Sequence, residues 1–365
     1  MKSNSPRRST ASLQSHLLAW FRRHRRDLPW RRSRDPYRIW IAEIMLQQTR
    51  IAAVIPYYDR FLRRFPTVES LASARQQNVL KLWSGLGYYT RARNLHRAAQ
   101  QIVAEHNHQF PNNLEAALSL PGIGRYTAAA VLSIAFDAPL SVLDGNVARV
   151  LARLEAIRGD LRAPARWKLL AHKAQSLLAH DSPGDWNQAL MELGETICTP
   201  RAPRCSACPV SKFCRARKLG LTSLIPAPRK KRAPVRQKIA AAILRDSQGR
   251  TLLTKDPGAH DDVLFSRMWQ FPAIEVSRHP RGELEAHLRA SLGITAPLTL
   301  EPLPIARHGV TFRNITLMPF LVQLAHLPHT PRTRILLLSH LTRPTGVAIS
   351  SATRKIAAAF SAAST

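Results

Sequence analysis

Acidic residues are scarce in this chain. Its 365 residues carry 54 Lys and Arg against 23 Asp and Glu, a net charge of +31. No acid precedes Asp27, and none stands between Glu195 and Asp246, a stretch that holds thirteen Lys or Arg. An excess of this size points to a polyanionic partner, nucleic acid above all. Cysteine is scarcer still. Cys198, Cys205, Cys208 and Cys214 are the only four, and all fall within "CTPRAPRCSACPVSKFC" (198–214). They could form two disulfides, bind a metal, or be together by chance. Disulfide frameworks belong to small secreted domains that lack a core, whereas a chain of this length can bury two or more ordinary cores. Long apolar runs are absent as well: nothing approaches the roughly 18 residues of a membrane span. The opening "MKSNSPRRSTASLQSHLLAWFRRHRR" has only a short apolar run around Leu17 and Leu18, too little for a secretory leader. The composition predicts a soluble protein of a reducing compartment; a monomer in a bacterial cytoplasm, at the nucleoid, is our expectation beyond what composition shows. An organellar or nuclear address is the alternative that the Arg- and Ser-rich start leaves open. In a reducing compartment clustered cysteines usually bind metal.

What is present divides at about residue 220. Before it, apolar residues recur at helical spacing, as at Val147, Val150, Leu151 and Leu154, and no strand is evident. Residues 1–10 read as a flexible basic tail and 11–220 as an all-α domain. "LTSLIPAPRKKRAPVRQK" (221–238), rich in Pro and basic residues, reads as a linker. From 239 to 365 the texture is α+β. "KIAAAILRDSQGRTLLTK" predicts two strands about a turn at Asp246–Gly249, and "MWQFPAIEV" another strand. "GELEAHLRASLGI" predicts a helix, and "GVTFRNITLMPFLVQLA" one long or two short strands.

Three segments carry chemistry. In "LPGIGRYTAAAVLSIAF" (120–136), Gly122 and Gly124 allow two helices to meet in a tight turn. The backbone N–H groups exposed there would suit a phosphate; an ordinary helix–helix turn is the plainer reading. Asp144, in "SVLDGNVARVL", is well placed as a helix N-cap, where the helix dipole would keep it ionised. Glu43 is the only charge between Arg38 and Arg50, with Ile39 and Leu46 on its own helical face. A helix apolar on all sides is buried, and burial would hold a carboxyl protonated near neutral pH. One neutral and one ionised carboxyl is the division of labour that cleaves glycosidic bonds.

"LPGIGRYTAAA" followed by "VLDGNVARVLARL" resembles the helix-hairpin-helix motif and downstream Asp of the base-excision DNA glycosylases. The C-x6-C-x2-C-x5-C spacing resembles the 4Fe–4S loop of their iron–sulfur branch. Zinc also accepts four thiolates, but its usual two C-x2-C pairs are absent. With "DLPWR", "EIMLQQT", "GLGYYTRARNLH" and "MELGETIC", the match over most of residues 20–214 is similar to the MutY-type adenine DNA glycosylases. The resemblance implies a helix-hairpin-helix at about 119–136, a 4Fe–4S cluster on Cys198, Cys205, Cys208 and Cys214, and duplex DNA with adenine opposite 8-oxoguanine or guanine as substrate. Glu43 would protonate the adenine and Asp144 stabilise the sugar cation, with Tyr126 and Asn146 in support. Trp30, Arg31, Leu46, Gln188 and Met191 would line the pocket for the flipped base, and Gln48, Thr49, Leu86 and Tyr88 would probe the gap it leaves. Tyr126 stands where the strand-nicking relatives have a Lys, which implies a monofunctional enzyme.

"LFSRMWQFPAIEV" resembles the Nudix-like recognition domain of the same family. Aligned on Gly293, Ala286, His287, Ala290 and Ser291 replace the acids of a metal cradle, so the domain should bind and not hydrolyse. In "RHGVTFRNI", Thr311 and Phe312 stand where the family has Ser and His against 8-oxoguanine. Two rival readings remain at this point: a bifunctional glycosylase/lyase, and a non-catalytic iron–sulfur DNA-binding protein.

Overall fold

The computed structural model of the chain describes residues 6–227, 233–255, 268–310, 313–342, 347 and 349–363. They fall into two compact units. One joins Met1–Ala74 to Arg93–Lys230; the other joins Arg75–Ala92 to Lys231–Thr365.

Helices follow one another through the first part of the chain: α1 (Pro6–His24), α2 (Pro36–Leu46), α3 (Ile51–Arg64), α4 (Val68–Ala72), α5 (Gln76–Trp83), α6 (Tyr89–Glu105) and α7 (Leu114–Ser119). After these come α8 (Arg125–Phe136), α9 (Gly145–Leu154), α10 (Pro164–Ser176), α11 (Pro183–Thr196) and the short α12 (Arg215–Lys218). No strand interrupts them, as the helical spacing predicts. Residues 6–10, expected to be part of a flexible tail, are helical. Pro6 at the start of α1 has its φ preset for a helix, and Leu13, Leu17 and Phe21, spaced four apart, are buried and anchor it. Segment 75–92, which the sequence assigns to the helical domain, groups with the second unit, where Arg354 Nη2 donates to Ser84 Oγ (3.1 Å).

Three helix starts in the first unit have identifiable causes. Asp35 caps α2 by accepting from Tyr37 N (2.9 Å), with Pro36 as the first helical residue. Asp144 caps α9, accepting from Asn146 N (2.9 Å) and Val147 N (2.7 Å). Gly124 precedes α8 with no side-chain cap, so the first amides of that helix lack an intrachain side-chain acceptor. Gly122 turns the chain into the hairpin at φ +79°, and a Cβ there would stand 2.7 Å from Asn94 Cβ. Helix α2 packs on α8, and α11 packs on both α9 and α1. The resulting core takes Leu17, Phe21, Val147, Leu151, Trp186, Leu190 and Leu193.

The second unit is α+β. Its strands are β1 (Val235–Arg245), β2 (Arg250–Lys255), β3 (Trp269–Gln270), β4 (Ala273–Glu275), β5 (Glu301–Pro302), β6 (Ala306–Val310), β7 (Arg313–Gln323) and β8 (Thr333–Leu337). β1 and β7 run parallel from Val235↔Arg313 to Arg245↔Gln323 at the centre of one sheet. The path is β3-β2-β1-β7-β5, with β4 on β1, β6 on β7 and β8 on β2. Helix α13 (Pro280–Leu292) covers one face through Leu284, Leu288 and Leu292, and α14 (Ser351–Ala363) covers the other through Ala352, Ile356 and Ala357. β1 begins at Val235, four residues before the expected boundary. The turn at Asp246 is where the sequence predicts it, because the Asp246 carboxylate accepts from Gln248 N and Arg250 N. β5, β8 and α14 are elements that the sequence reading did not single out.

Candidate active site

α2 is apolar on every side, and its residues Ile39 through Met45 are buried. Glu43 lies among them at 6 % exposure. Its carboxyl opens into a cavity of about 530 Å³ lined by residues from α2, α8, α9, α11 and the turn before α2. Tyr126, in the first turn of α8, donates from its hydroxyl to Glu43 Oε2 (2.9 Å), and the Tyr126 hydroxyl oxygen also lies 3.2 Å from Met191 Sδ. Asp144 enters from the mouth of α9, and Asn146 beside it.

Burial raises the Glu43 carboxyl to about 7. The Tyr126 hydroxyl and the charge of Arg31 pull the other way, while the neighbouring Asp144 adds to the rise. At Asp144 burial acts as well as the helix mouth, and it holds the carboxyl above the ordinary Asp range. The amides of Val147 and Asn146 and the charge of Arg149 oppose that rise without cancelling it. The helix mouth is therefore one force on Asp144, and desolvation is the larger.

A third carboxylate was missed. Glu192 is 2 % exposed and receives Arg26 Nε (2.6 Å) and Nη2 (2.9 Å) in a fork, with Arg31 Nη2 at 2.8 Å. Burial would raise it, but hydrogen bonds and charge from the two arginines win and hold it below the usual Glu range. Glu195 bonds to the same Arg26 (2.9 Å) and also lines the cavity. The signal for Glu192 was the one used for Glu43, a single charge amid Met191 and Leu193. Arg26 gave none, because it stands in an arginine-rich run that reads as a solvated face.

The other expected residues divide. Trp30, Arg31, Leu46, Gln48, Thr49, Gln188 and Met191 line this cavity with Glu43, Tyr126, Asp144 and Asn146. Trp30 is fixed by an edge contact with Tyr58, ring centroids 5.4 Å apart. Gly122 and Gly124 are exposed in the hairpin. Leu86 and Tyr88 belong to the second unit; Leu86 is buried and Tyr88 exposed. Thr311 and Phe312 lie outside the described residues. No lysine lines the cavity among the described residues.

Cys198, Cys205, Cys208 and Cys214 are half-buried on a loop made of two short 3-10 turns, Cys205–Ala207 and Ser211–Phe213. Burial pushes the Cys208 thiol up to about 11, and the other three sulfurs add to the rise, so the four sense one another. Among the described residues no group of three Cys, His, Asp or Glu is spaced to hold one metal ion. Four thiolates are also the donor set that a 4Fe–4S cluster takes. Two buried arginines of α9 turn toward this loop. Arg153 donates to the carbonyls of Ile225 (2.7 Å), Thr199 (2.8 Å) and Pro200 (3.1 Å) and to Cys198 Sγ (3.3 Å). Arg149 donates to Cys198 O (2.9 Å) and Gly194 O (2.7 Å).

Residues 41–173 match the HhH-GPD superfamily of base excision DNA repair proteins. A mouse adenine DNA glycosylase is 35 % identical over 371 residues, 87 % of this chain and 72 % of the mouse protein. The rat adenine DNA glycosylase is 36 % identical over 343 residues, 80 % of this chain and 66 % of that protein. The human one is 46 % identical over 215 residues, but this covers 39 % of its length. Among solved structures, a thermostable thymine-DNA glycosylase aligns over its whole length with 59 % of this chain, at TM-score 0.54 and 31 % identity. The helices, the cavity that collects Glu43, Tyr126 and Asp144, and a relative aligned along most of both chains lead to one assignment: the chain belongs to the adenine DNA glycosylase family.

Proposed function

We propose that the chain is a monofunctional glycosylase that removes adenine opposite 8-oxoguanine or guanine in duplex DNA and leaves an abasic site. The observation that carries this reading is Glu43, a carboxyl pushed to about 7 in a cavity it shares with Asp144. A base must leave the stack before its glycosidic bond can be reached. In the cavity the neutral Glu43 gives its proton to a ring nitrogen of adenine. The C–N bond breaks with its electron pair going to the base, and Asp144 stabilises the positive sugar by charge or by a covalent bond. Water adds to the sugar carbon, displacing Asp144 where that has bonded, and gives its proton to the Glu43 carboxylate, which restores the acid. Tyr126 orients the Glu43 carboxyl, and Glu192, held ionised by Arg26 and Arg31, offers an acceptor for the exocyclic amine. A Schiff base needs an amine, and no lysine lines the cavity among the described residues, which supports release without strand nicking.

The four cysteines would hold a 4Fe–4S cluster, with Arg153 and Arg149 offsetting the negative charge of its thiolates. Held there, the cluster would serve to shape a basic DNA-facing loop. The uncapped start of α8 with Gly122 and Gly124 would take a backbone phosphate. The second unit is read as a Nudix-like lesion-recognition domain, with Ala286, His287, Ala290 and Ser291 of α13 offering no acidic cradle.

Single-turnover base release from duplexes with adenine opposite 8-oxoguanine, guanine or thymine tests the reading, each time point split with and without alkali. Free adenine from the first duplex, with breaks only after alkali, is the expected result. Nicks without alkali would favour the bifunctional rival. No release by protein with its visible cluster absorbance intact would favour the binding-protein rival.

A further inference from the structure

The loop between α5 and α6 is held in a demanding shape. Gly85 (φ +102°), Gly87 (φ +78°) and Tyr88 (φ +50°) all take the left-handed region within four residues. For tyrosine that conformation is unfavourable, and the Tyr88 ring is 39 % exposed, so its own burial offsets little of the cost. Something beneath the loop must fix it.

Arg91, two residues into the helix that follows, is that support. Its guanidinium lies over the ring of the fully buried Trp83 (5.4 Å to the centroid) and over the ring of Tyr88 (5.3 Å). Its Nη2 donates to Gly87 O (3.2 Å) and, more weakly, to Leu86 O (3.5 Å). Trp83 Nε1 donates to the same Gly87 oxygen (3.0 Å). Gly87 O, the carbonyl immediately before Tyr88, is thus gripped from two sides, and the planar cation forms a shelf for the exposed ring. Lysine could not reproduce this. It offers a point charge on a flexible stem, without the plane that stacks or the fixed fork.

We propose that Arg91 is a positioning residue that holds the Tyr88 ring ready to enter a base step of duplex DNA. This rests on reading the chain as a base-flipping glycosylase. An exposed ring on a rigid loop enters a step without first having to be ordered, and the saving appears in the rate at saturation.

The test pairs Arg91→Gln with Tyr88→Ala in the full-length protein, singly and together. The duplex carries 2-aminopurine next to the mispair, whose fluorescence rises when the step is unstacked. Arg91→Gln is expected to lower the base-release rate constant at saturating protein by roughly tenfold, the loss of one charge-assisted hydrogen bond. It should also shrink the fluorescence rise and leave affinity for an undamaged duplex unchanged. The double variant should lose nothing beyond Tyr88→Ala alone, because Arg91 acts through that ring. Losses that multiply in the double variant, or an Arg91→Gln protein with the parent's rate and fluorescence, would overturn the proposal. Should Arg91→Gln not fold, Arg91→Lys carries the same comparison, and parental behaviour from it has the same consequence. If the parent protein releases no adenine, the functional reading fails, while the fluorescence arm, which needs only insertion, still decides the role of Arg91.

Discussion

At Glu43 two requirements meet in one carboxyl. Catalysis needs a proton near neutral pH, and burial supplies it by disfavouring the anion. The same burial has a consequence for stability. Folded, Glu43 titrates at about 7, above the ordinary Glu range. The stability it contributes relative to an ionised carboxyl is therefore complete below pH 4 and is lost as pH rises through 7, about 3 kcal/mol in all. Glutamine keeps the shape and never ionises. Glu43→Gln is expected to abolish base release, to melt at a higher temperature than the parent protein at pH 8, and to melt with it near pH 4. Equal melting at pH 8 would show that Glu43 is not desolvated as described. In the parent protein, base release should fall as pH rises through about 7, when the acid is lost. A rate flat from pH 6 to 9 would remove Glu43 from the role of proton donor.

At the scale of elements, the hairpin before α8 makes a separable prediction. Gly122 combines φ +79° with a neighbour, Asn94 Cβ, 2.7 Å from where a Cβ would stand. Gly122→Ala must displace the hairpin or Asn94 of α6, which disturbs the uncapped amides at the start of α8. Affinity for duplex should fall roughly tenfold or more, with less change in the base-release rate at saturation, read by titration and single turnover. The loop of Arg153 makes another. Its guanidinium serves the carbonyls of Thr199, Pro200 and Ile225, so Arg153→Met takes the donor from all three, that of the buried Ile225 among them. A destabilisation of roughly 2–4 kcal/mol and earlier loss of visible cluster absorbance on heating are expected, and unchanged melting would contradict the account. The hairpin was legible in the sequence because proline, two glycines and a helical stripe are local signals. Glu43 was legible because one charge in an apolar helix is conspicuous. Arg153 was not, since its partners lie 45 or more residues away and, apart from Cys198 Sγ, are backbone oxygens. Nor were β8 and α14, the first because its pairing with β2 is long-range, the second because an alanine-rich helix carries only a thin apolar stripe.

At the scale of the whole molecule, charge and burial act on different steps and can be separated by salt. The net +31, with thirteen Lys or Arg between Glu195 and Asp246 and no acid among them, serves association with a polyanion. That term releases counterions and falls steeply with ionic strength, by about a thousandfold or more between 50 and 200 mM when six or more phosphates are engaged. The chemistry lies elsewhere. Glu43 and Glu192 are both nearly inaccessible, and the Arg26–Glu192–Arg31 contacts are at 2.6–2.9 Å, where mobile ions do not enter. Affinity for duplex should therefore collapse over that range while the base-release rate constant at saturating protein stays within about twofold, a bound taken from the weak screening of buried pairs. Titrations of one labelled duplex at four salt concentrations, with single-turnover rates measured at each, read both quantities from the same preparation. A rate at saturation that fell in step with affinity would mean that the cavity is open to solvent ions during catalysis. The raised Glu43 carboxyl, which depends on exclusion of that solvent, would then have to be given up as the acid.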